Sequence, residues 1–436
     1  MARGRTVLRG ARWPGDVAMS DGRIAAVGSV PAEDGDLVVR VDGDIVTAGL
    51  VNTHHHFYQW MTRGWACDCT LFDWLRTLYP VWARITPDDV EAASAVALGE
   101  LALGGCTTAA DHHYLVPGGD DSVFDAIARS ARRIGVRSYI ARGSMDLGQS
   151  LGGLPPDSVV EDLDAILAST ESVFQRLHDG EQISVTVAPC SPFSATTQLM
   201  SESADLARRL GVRLHTHLAE TLDEERACLD RFGKRPLELL DELGWVASDV
   251  WMAHGIHFDD GEVRRLGEAG TGIAHCPSSN SRLGSGIARV VDLRAAGAPV
   301  GLGVDGVASN EVGTLYPEMR MALYLARQRD LSAATFSPAD AFAVATEGGA
   351  RCLGRSDIGR LEPGLRADVV VWPGDDLADV LDPIVGLVLG PDRAARHVFV
   401  GGTPVVQDAQ LVNADITTLR GDLARRVRKL WPDGAA

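Results

Sequence analysis

At 436 residues and 45% hydrophobic composition, the chain can bury one large core with a smaller satellite unit. Its formal net charge of −18 works against a nucleic-acid or anionic-membrane partner, either of which needs a basic patch, and favours a small neutral or cationic ligand. Seven cysteines without a C-x-x-C spacing, no apolar run long enough to cross a bilayer and no apolar stretch behind Met1-Ala2-Arg3-Gly4-Arg5 point to a soluble protein in a reducing, cytoplasmic setting.

Residues 5–47 carry short alternating runs around a turn at Asp21-Gly22-Arg23, and similar runs return in residues 359–412. Neither stretch has enough strands for a stable sheet of its own, so the two are expected to form one small β-sandwich. Two separate β-rich tails are the alternative. The expected organisation is residues 1–48 and 356–436 in the sandwich, the latter with a terminal helix, around a barrel of residues 49–355.

Between them, eight β-branched or apolar runs alternate with amphipathic stretches: Ile45–His56, Cys106–His113, Arg137–Gly143, Ile183–Cys190, Val212–Leu218, Val250–Gly255, Gly272–Pro277 and Val300–Gly306. Eight strand–helix units predict a closed (β/α)₈ barrel, and no G-x-G-x-x-G follows the first strand to suggest an open dinucleotide-binding sheet. Thr86-Pro87-Asp88-Asp89 supplies a capping hydroxyl, a proline at the first helical position and an acid at the third, predicting a helix over Pro87–Leu103. Residues 57–82 show no clear helical period and hold eight of the 25 aromatics. A loop at that place walls a pocket, or buries its rings between subunits of a homo-oligomer, which is the expected assembly.

Thr53-His54-His55-His56 closes the first strand, and alternation puts His54 and His56 on one face. Two converging imidazoles suit zinc or ferrous iron, although a lone H-x-H is a weak signal. The fifth strand ends His215-Thr216-His217, with Glu220 three residues on. His215 and His217 share a face, so spacing leaves the choice of ligand open; the partner Glu220 favours His217. His254 and Asp305 each end an apolar strand, and an acid buried there needs a partner such as a divalent cation. Taken singly, each could be a hydrogen-bonded core residue; together they mark the C-terminal ends of strands one, five, six and eight.

With these residues stand Gly49-Leu50-Val51-Asn52-Thr53, Gly105-Cys106-Thr107-Thr108 with Asp111, His217-Leu218-Ala219-Glu220, His275-Cys276-Pro277-Ser278-Ser279-Asn280, Val304-Asp305-Gly306 and Leu361-Glu362-Pro363-Gly364. From about Asp21 to Val412 the chain resembles the amidohydrolase superfamily, in the branch that deaminates nucleobases and related heterocycles. The resemblance implies one divalent metal on His54, His56, His217 and Asp305, with Glu220, His254 and Asp305 as catalytic groups that activate water and move protons. Zinc is the default ion and ferrous iron fits the same ligands. Binuclear members use a carboxylated lysine at the end of strand four, but that strand ends Ala188-Pro189-Cys190-Ser191, and the chain's two lysines are Lys234 and Lys429. One metal is therefore expected, and cyclic-amide hydrolysis, which would call for that lysine, is disfavoured.

Within the branch the chain is most similar to 8-oxoguanine deaminases, through His56-Phe57-Tyr58-Gln59, Leu71-Phe72-Asp73-Trp74-Leu75, Asp111-His112-His113-Tyr114, Leu151-Gly152-Gly153-Leu154-Pro155-Pro156 and Arg282-Leu283-Gly284-Ser285-Gly286. The implied reaction is hydrolysis of 8-oxoguanine to urate and ammonia. Gln59 stands where related guanine deaminases contact the purine, and Cys190 is expected to line the same pocket. Ala48, Ser281 and Val307 depart from the expected proline, methionine and serine, the last two close to the expected pocket. Amino-s-triazines and pterins carry the same amino-substituted C=N unit and form the rival substrate class; a non-catalytic barrel is disfavoured by the complete residue set.

Overall fold

A computed structural model of the chain describes residues 4–431, so Met1, Ala2 and Arg3 of the N-terminal reading lie outside the described residues. Eight parallel strands close into a barrel in chain order, the eighth returning to the first. They are Leu50–Asn52, Cys106–His113, Arg137–Ser144, Ile183–Pro189, Leu214–Leu218, Val250–His254, Gly272–His275 and Val300–Leu302. Every residue in them is buried. Side chains pointing inward fill the barrel and those pointing outward meet the helices, which is why these runs read as continuously apolar.

The first run is two strands rather than one. Ile45–Ala48 pairs antiparallel with Val369–Trp372, while Leu50–Asn52 enters the barrel beside Cys106–His113. Gly49 marks the crossing: a Cβ there would lie 2.1 Å from Thr107 Oγ1, so the chain passes with no side chain.

Pro87–Leu103 is helical with the bounds its capping signal predicts, Thr86 and Asp89 bonding reciprocally. Residues 57–82, read as a loop, are instead a 3₁₀ turn at Phe57–Thr62 and an α-helix at Leu71–Trp82. Leu71, Trp74, Leu75, Leu78, Tyr79 and Trp82 recur at helical spacing and are buried. The irregular aromatic run before them, and Pro80 inside the helix, mask that period.

Outside the barrel, Thr6–Arg9, Asp16–Ser20, Arg23–Gly28 and Leu37–Arg40 make one sheet. A second sheet joins Ile45–Ala48 to Val369–Trp372, His397–Val400, Thr403–Gln407 and Gln410–Leu411. Leu8, Val17 and Ile24 of the first sheet and Val46, Val369 and Phe399 of the second share one apolar cluster. Arg137, at the start of the third barrel strand, pairs with Asp368, which also accepts the Gly401 N–H at 2.8 Å. This ion pair is fully buried.

Candidate active site

The strands carry their titratable residues to one rim. His54 and His56 follow strand one, His215 and His217 lie on strand five, His254 ends strand six, and Asp305 lies three residues beyond strand eight. Ala219, His254 and Asp305 adopt φ of 54°, 72° and 63°. Each such non-glycine residue costs on the order of 1–3 kcal/mol, and strain of this kind collects where side chains must be aimed.

Proton accounting sorts the histidines. His56 Nδ1 lies 2.6 Å from His112 O and His217 Nδ1 2.7 Å from Cys190 O. A carbonyl only accepts, so both Nδ1 atoms carry the proton and both Nε2 atoms present lone pairs. Those two Nε2 atoms face each other at 3.1 Å. His215 Nδ1 donates to Trp251 O at 2.9 Å, so its Nε2 accepts from His54 Nδ1 at 2.8 Å. His54 Nε2 is then a third bare lone pair, buried without a hydrogen-bond partner and 3.4 Å from Asp305 Oδ1. The same Asp305 oxygen is 3.2 Å from His56 Nε2.

Protonation does not relieve this repulsion. Burial drives His54 well below the usual histidine range, and burial with the neighbouring His56 and His254 takes His217 to about 3. Three imidazole lone pairs and a carboxylate oxygen suit a divalent cation of the zinc or ferrous type. His54, His56 and Asp305 have donor atoms within 4.8 Å of one another, as do His54, His217 and His254. His54, His112 and His215 cluster likewise. There, however, His215 Nε2 is engaged by His54, and His112 Nε2 donates to Ala188 O at 2.9 Å.

The two rim carboxylates are driven apart. Glu220 is pushed well up by burial and then by the Asp305 charge. Burial also acts upward on Asp305, but the close imidazoles of His54 and His56 outweigh it and hold the group well below the usual carboxylate range. Ser279 donates to Asp305 Oδ2 at 2.6 Å and Gly306 N–H to Oδ1 at 2.8 Å. His254 Nε2 stands 3.4 Å from Glu220 Oε2, its other nitrogen 2.9 Å from Asn280 Oδ1. Opposite shifts of neighbouring acids are the arrangement that suits one to give a proton and the other to take one.

A pocket opens over these groups. Leu71, Trp74, Leu75, Tyr79, Phe193 and Leu283 give it apolar surface; His56, His217, Glu220, His254 and Asp305 give it chemistry; Gln59, Tyr114 and Cys190 complete the lining. Gln59 Oε1 is buried without a partner. Gly306 leaves room for that carboxamide, since a Cβ there would sit 1.7 Å from Gln59 Oε1. Burial pushes the Cys190 thiol up to about 12, which makes it a neutral wall rather than a nucleophile. Ser281 and Val307, expected near the pocket, are absent from its lining; the Ser281 hydroxyl donates to Pro277 O instead.

Several contributors carried no role in the sequence. His112 stacks on His217 with ring centroids 4.7 Å apart. Asp111 accepts the Phe57 N–H at 2.7 Å and fixes the turn after His56. Glu318 accepts from Ser278 Oγ at 2.6 Å and Asn310 at 3.0 Å, tying the short helix Pro277–Arg282, which carries Ser279, to the segment that carries Ser309. The paired histidines of strand two, with Asp111 beside them, were the local signal; Glu318 lies far along the chain on the helix Tyr316–Asp330.

A parallel eight-stranded barrel with an imidazole–carboxylate cluster at its C-terminal rim defines a barrel hydrolase. The profile of the amidohydrolase family matches residues 45–405, and the chain belongs to that family. It is 51% identical to the 8-oxoguanine deaminase of Pseudomonas aeruginosa PAO1, over 93% of this chain and 92% of the relative. An isoxanthopterin deaminase from an unknown prokaryotic organism is 34% identical, over 96% and 92%. Among solved structures, the zinc complex of atrazine chlorohydrolase from Arthrobacter aurescens TC1 superposes with a TM-score of 0.91 at 30% identity, over 97% of this chain and 100% of that one.

Proposed function

We propose that this protein hydrolytically deaminates an amino-substituted heterocycle, 8-oxoguanine above all, to urate and ammonia. The observation that carries the chemistry is Glu220, buried 3.4 Å from His254 and sharing an aromatic-walled pocket with Asp305, His56 and His217. The 51% identity to an 8-oxoguanine deaminase supports the ring.

In this reading His54, His56, His217 and Asp305 hold one divalent metal, zinc by default, with ferrous iron suited to the same donors. When bound, the ion supplies a Lewis acid that readies water as a nucleophile near neutral pH. Glu220 gives its proton to the ring nitrogen next to the amino-bearing carbon, which makes that carbon electrophilic. Asp305 takes a proton from the attacking water, while His254, held by Asn280, orients it. Proton return to the amino group lets ammonia leave. Gln59 supplies a free carboxamide oxygen for a ring N–H, and Cys190 adds shape without charge.

The single-metal reading is supported at strand four, which ends at Pro189 and is followed by Cys190, while Lys234 is paired with Glu242 away from the pocket. Among the described residues no helix is long and apolar enough to cross a membrane, and all seven cysteines are free, which fits a reducing cytoplasm. Association into a homo-oligomer belongs to the same reading and is checked by sedimentation.

Ammonia release from 8-oxoguanine, guanine, isoxanthopterin and amino-s-triazines tests the substrate. The highest kcat/KM on 8-oxoguanine is expected. A preference for isoxanthopterin or a triazine would move the assignment to the second class while keeping the chemistry, and metal-loaded protein inactive on every ring would refute the proposal.

A further inference from the structure

The segment after strand five carries a second buried carboxylate that the proposed reaction does not use. Glu224, 1% exposed, turns back from the first turn of the helix Leu222–Phe232. Its Oε1 accepts the Ala219 N–H at 3.0 Å and its Oε2 the Glu220 N–H at 2.8 Å. Thr221 caps the same helix, its hydroxyl accepting the Glu224 N–H at 3.2 Å.

Ala219 has the left-handed φ of 54° that alanine ordinarily avoids. A left-handed residue in such a turn can bring successive N–H groups to one side, forming a concavity that attracts an anion. Here the acceptor is internal, the Glu224 carboxyl group, which takes both N–H groups even though burial raises it to about 7. The opposite side of the turn is tied as well: Ala219 O accepts from Ile256 N at 2.9 Å and His257 N at 3.0 Å, and Leu218 O from Gly255 N at 3.1 Å. Held from both sides, the peptide that carries Glu220 places its carboxyl 3.4 Å from His254 Nε2. Glu224 itself is not part of the pocket lining, so any influence on the reaction passes through this backbone.

We infer that Glu224 is a positioning residue: its carboxylate holds the strained Ala219 turn that aims Glu220 into the pocket. The inference rests on the reading of Glu220 as the proton-transfer group.

Glu224→Gln keeps the shape but replaces one acceptor oxygen with a donor that faces a backbone N–H. The expected result is a kcat per bound metal lower by roughly 100-fold, the loss typical of an ångström-scale misplacement, with KM little changed. Amide hydrogen exchange should quicken at residues 219–222 and stay at wild-type rates in the rest of the barrel. Adding Ala219→Gly, which adopts the left-handed turn without strain, should recover about tenfold of the loss, the equivalent of roughly 1.4 kcal/mol. If Glu224→Gln does not fold, Glu224→Asp, which withdraws the same charge by one methylene, is read in the same way.

Wild-type kcat per metal in the variant, exchange quickened throughout the barrel, or no recovery with Ala219→Gly would overturn the inference. Wild type inactive on every ring would sink the proposed function instead, and the exchange rates at 219–222 would still decide the part played by Glu224.

Discussion

Two buried clusters at opposite ends of the barrel differ in how their polar groups are satisfied. At the end facing the sheets, Arg137 meets Asp368, Thr108 and Glu181 O, and Asp368 also receives Gly401 N–H, so the charges are matched. At the rim, His54 Nε2, Glu220 Oε1 and Gln59 Oε1 are buried with no hydrogen-bond partner. A satisfied buried network rigidifies a fold, and an unsatisfied one destabilises it until a ligand completes it. The closed end therefore reads as stability and the open end as function, and substitutions should separate the two.

The largest effect is expected from His56→Ala. It removes one proposed metal donor, and turnover should fall by roughly 10³-fold or more together with bound metal, as measured by elemental analysis. Asp368→Asn sharpens the contrast from the other end. It strands the Arg137 charge, and denaturant unfolding should show a loss of about 3–5 kcal/mol with kcat unchanged. A fall in kcat without loss of stability would erase the distinction between the ends.

Asn280→Ala takes the amide from His254 and leaves a buried ring nitrogen unpaired, a cost of about 1–3 kcal/mol that should appear as a roughly 10- to 100-fold lower kcat with metal retained. The smallest effect is a pH dependence beneath the rim. Burial raises Glu318 from 4.5 to about 7 in spite of its hydrogen bonds from Ser278 and Asn310. A raised folded value means the native state holds the extra proton, so this contribution is complete below about pH 4.5 and is lost as pH rises to about 7. Glu318→Gln does not titrate. Its stability relative to wild type should therefore improve between pH 5 and 8, on the order of 1–2 kcal/mol, in unfolding curves across that range.

Much of this organisation was legible in the sequence, for identifiable reasons. A barrel strand is buried on both faces, so all eight appear as apolar runs, and alternation carried past the strand's end at Asn52 pairs His54 with His56, both of which reach Asp305. The helix Pro87–Leu103 announced itself through a local cap. The helix Leu71–Trp82 did not, because an irregular aromatic segment and an internal proline hid its period. His215 and His217 were indistinguishable by spacing; they differ in which ring nitrogen meets a carbonyl and which meets His54, and only barrel closure creates those contacts. Asn280, Ser279 and Glu318 lay beyond reach for the same reason, since each acts on a residue more than 25 positions away. Glu224 was near enough in sequence, but its bonds to the Ala219 and Glu220 amides depend on a left-handed alanine that no residue type announces.

The most direct test of the proposed chemistry is turnover of 8-oxoguanine by Glu220→Gln with its metal counted. One divalent ion per chain retained, with ammonia release lower by about 10²–10⁴-fold, is the predicted result, because the substitution removes a proton-transfer group and leaves the imidazole cluster intact. Near-wild-type turnover at the same metal content would contradict the assignment of Glu220.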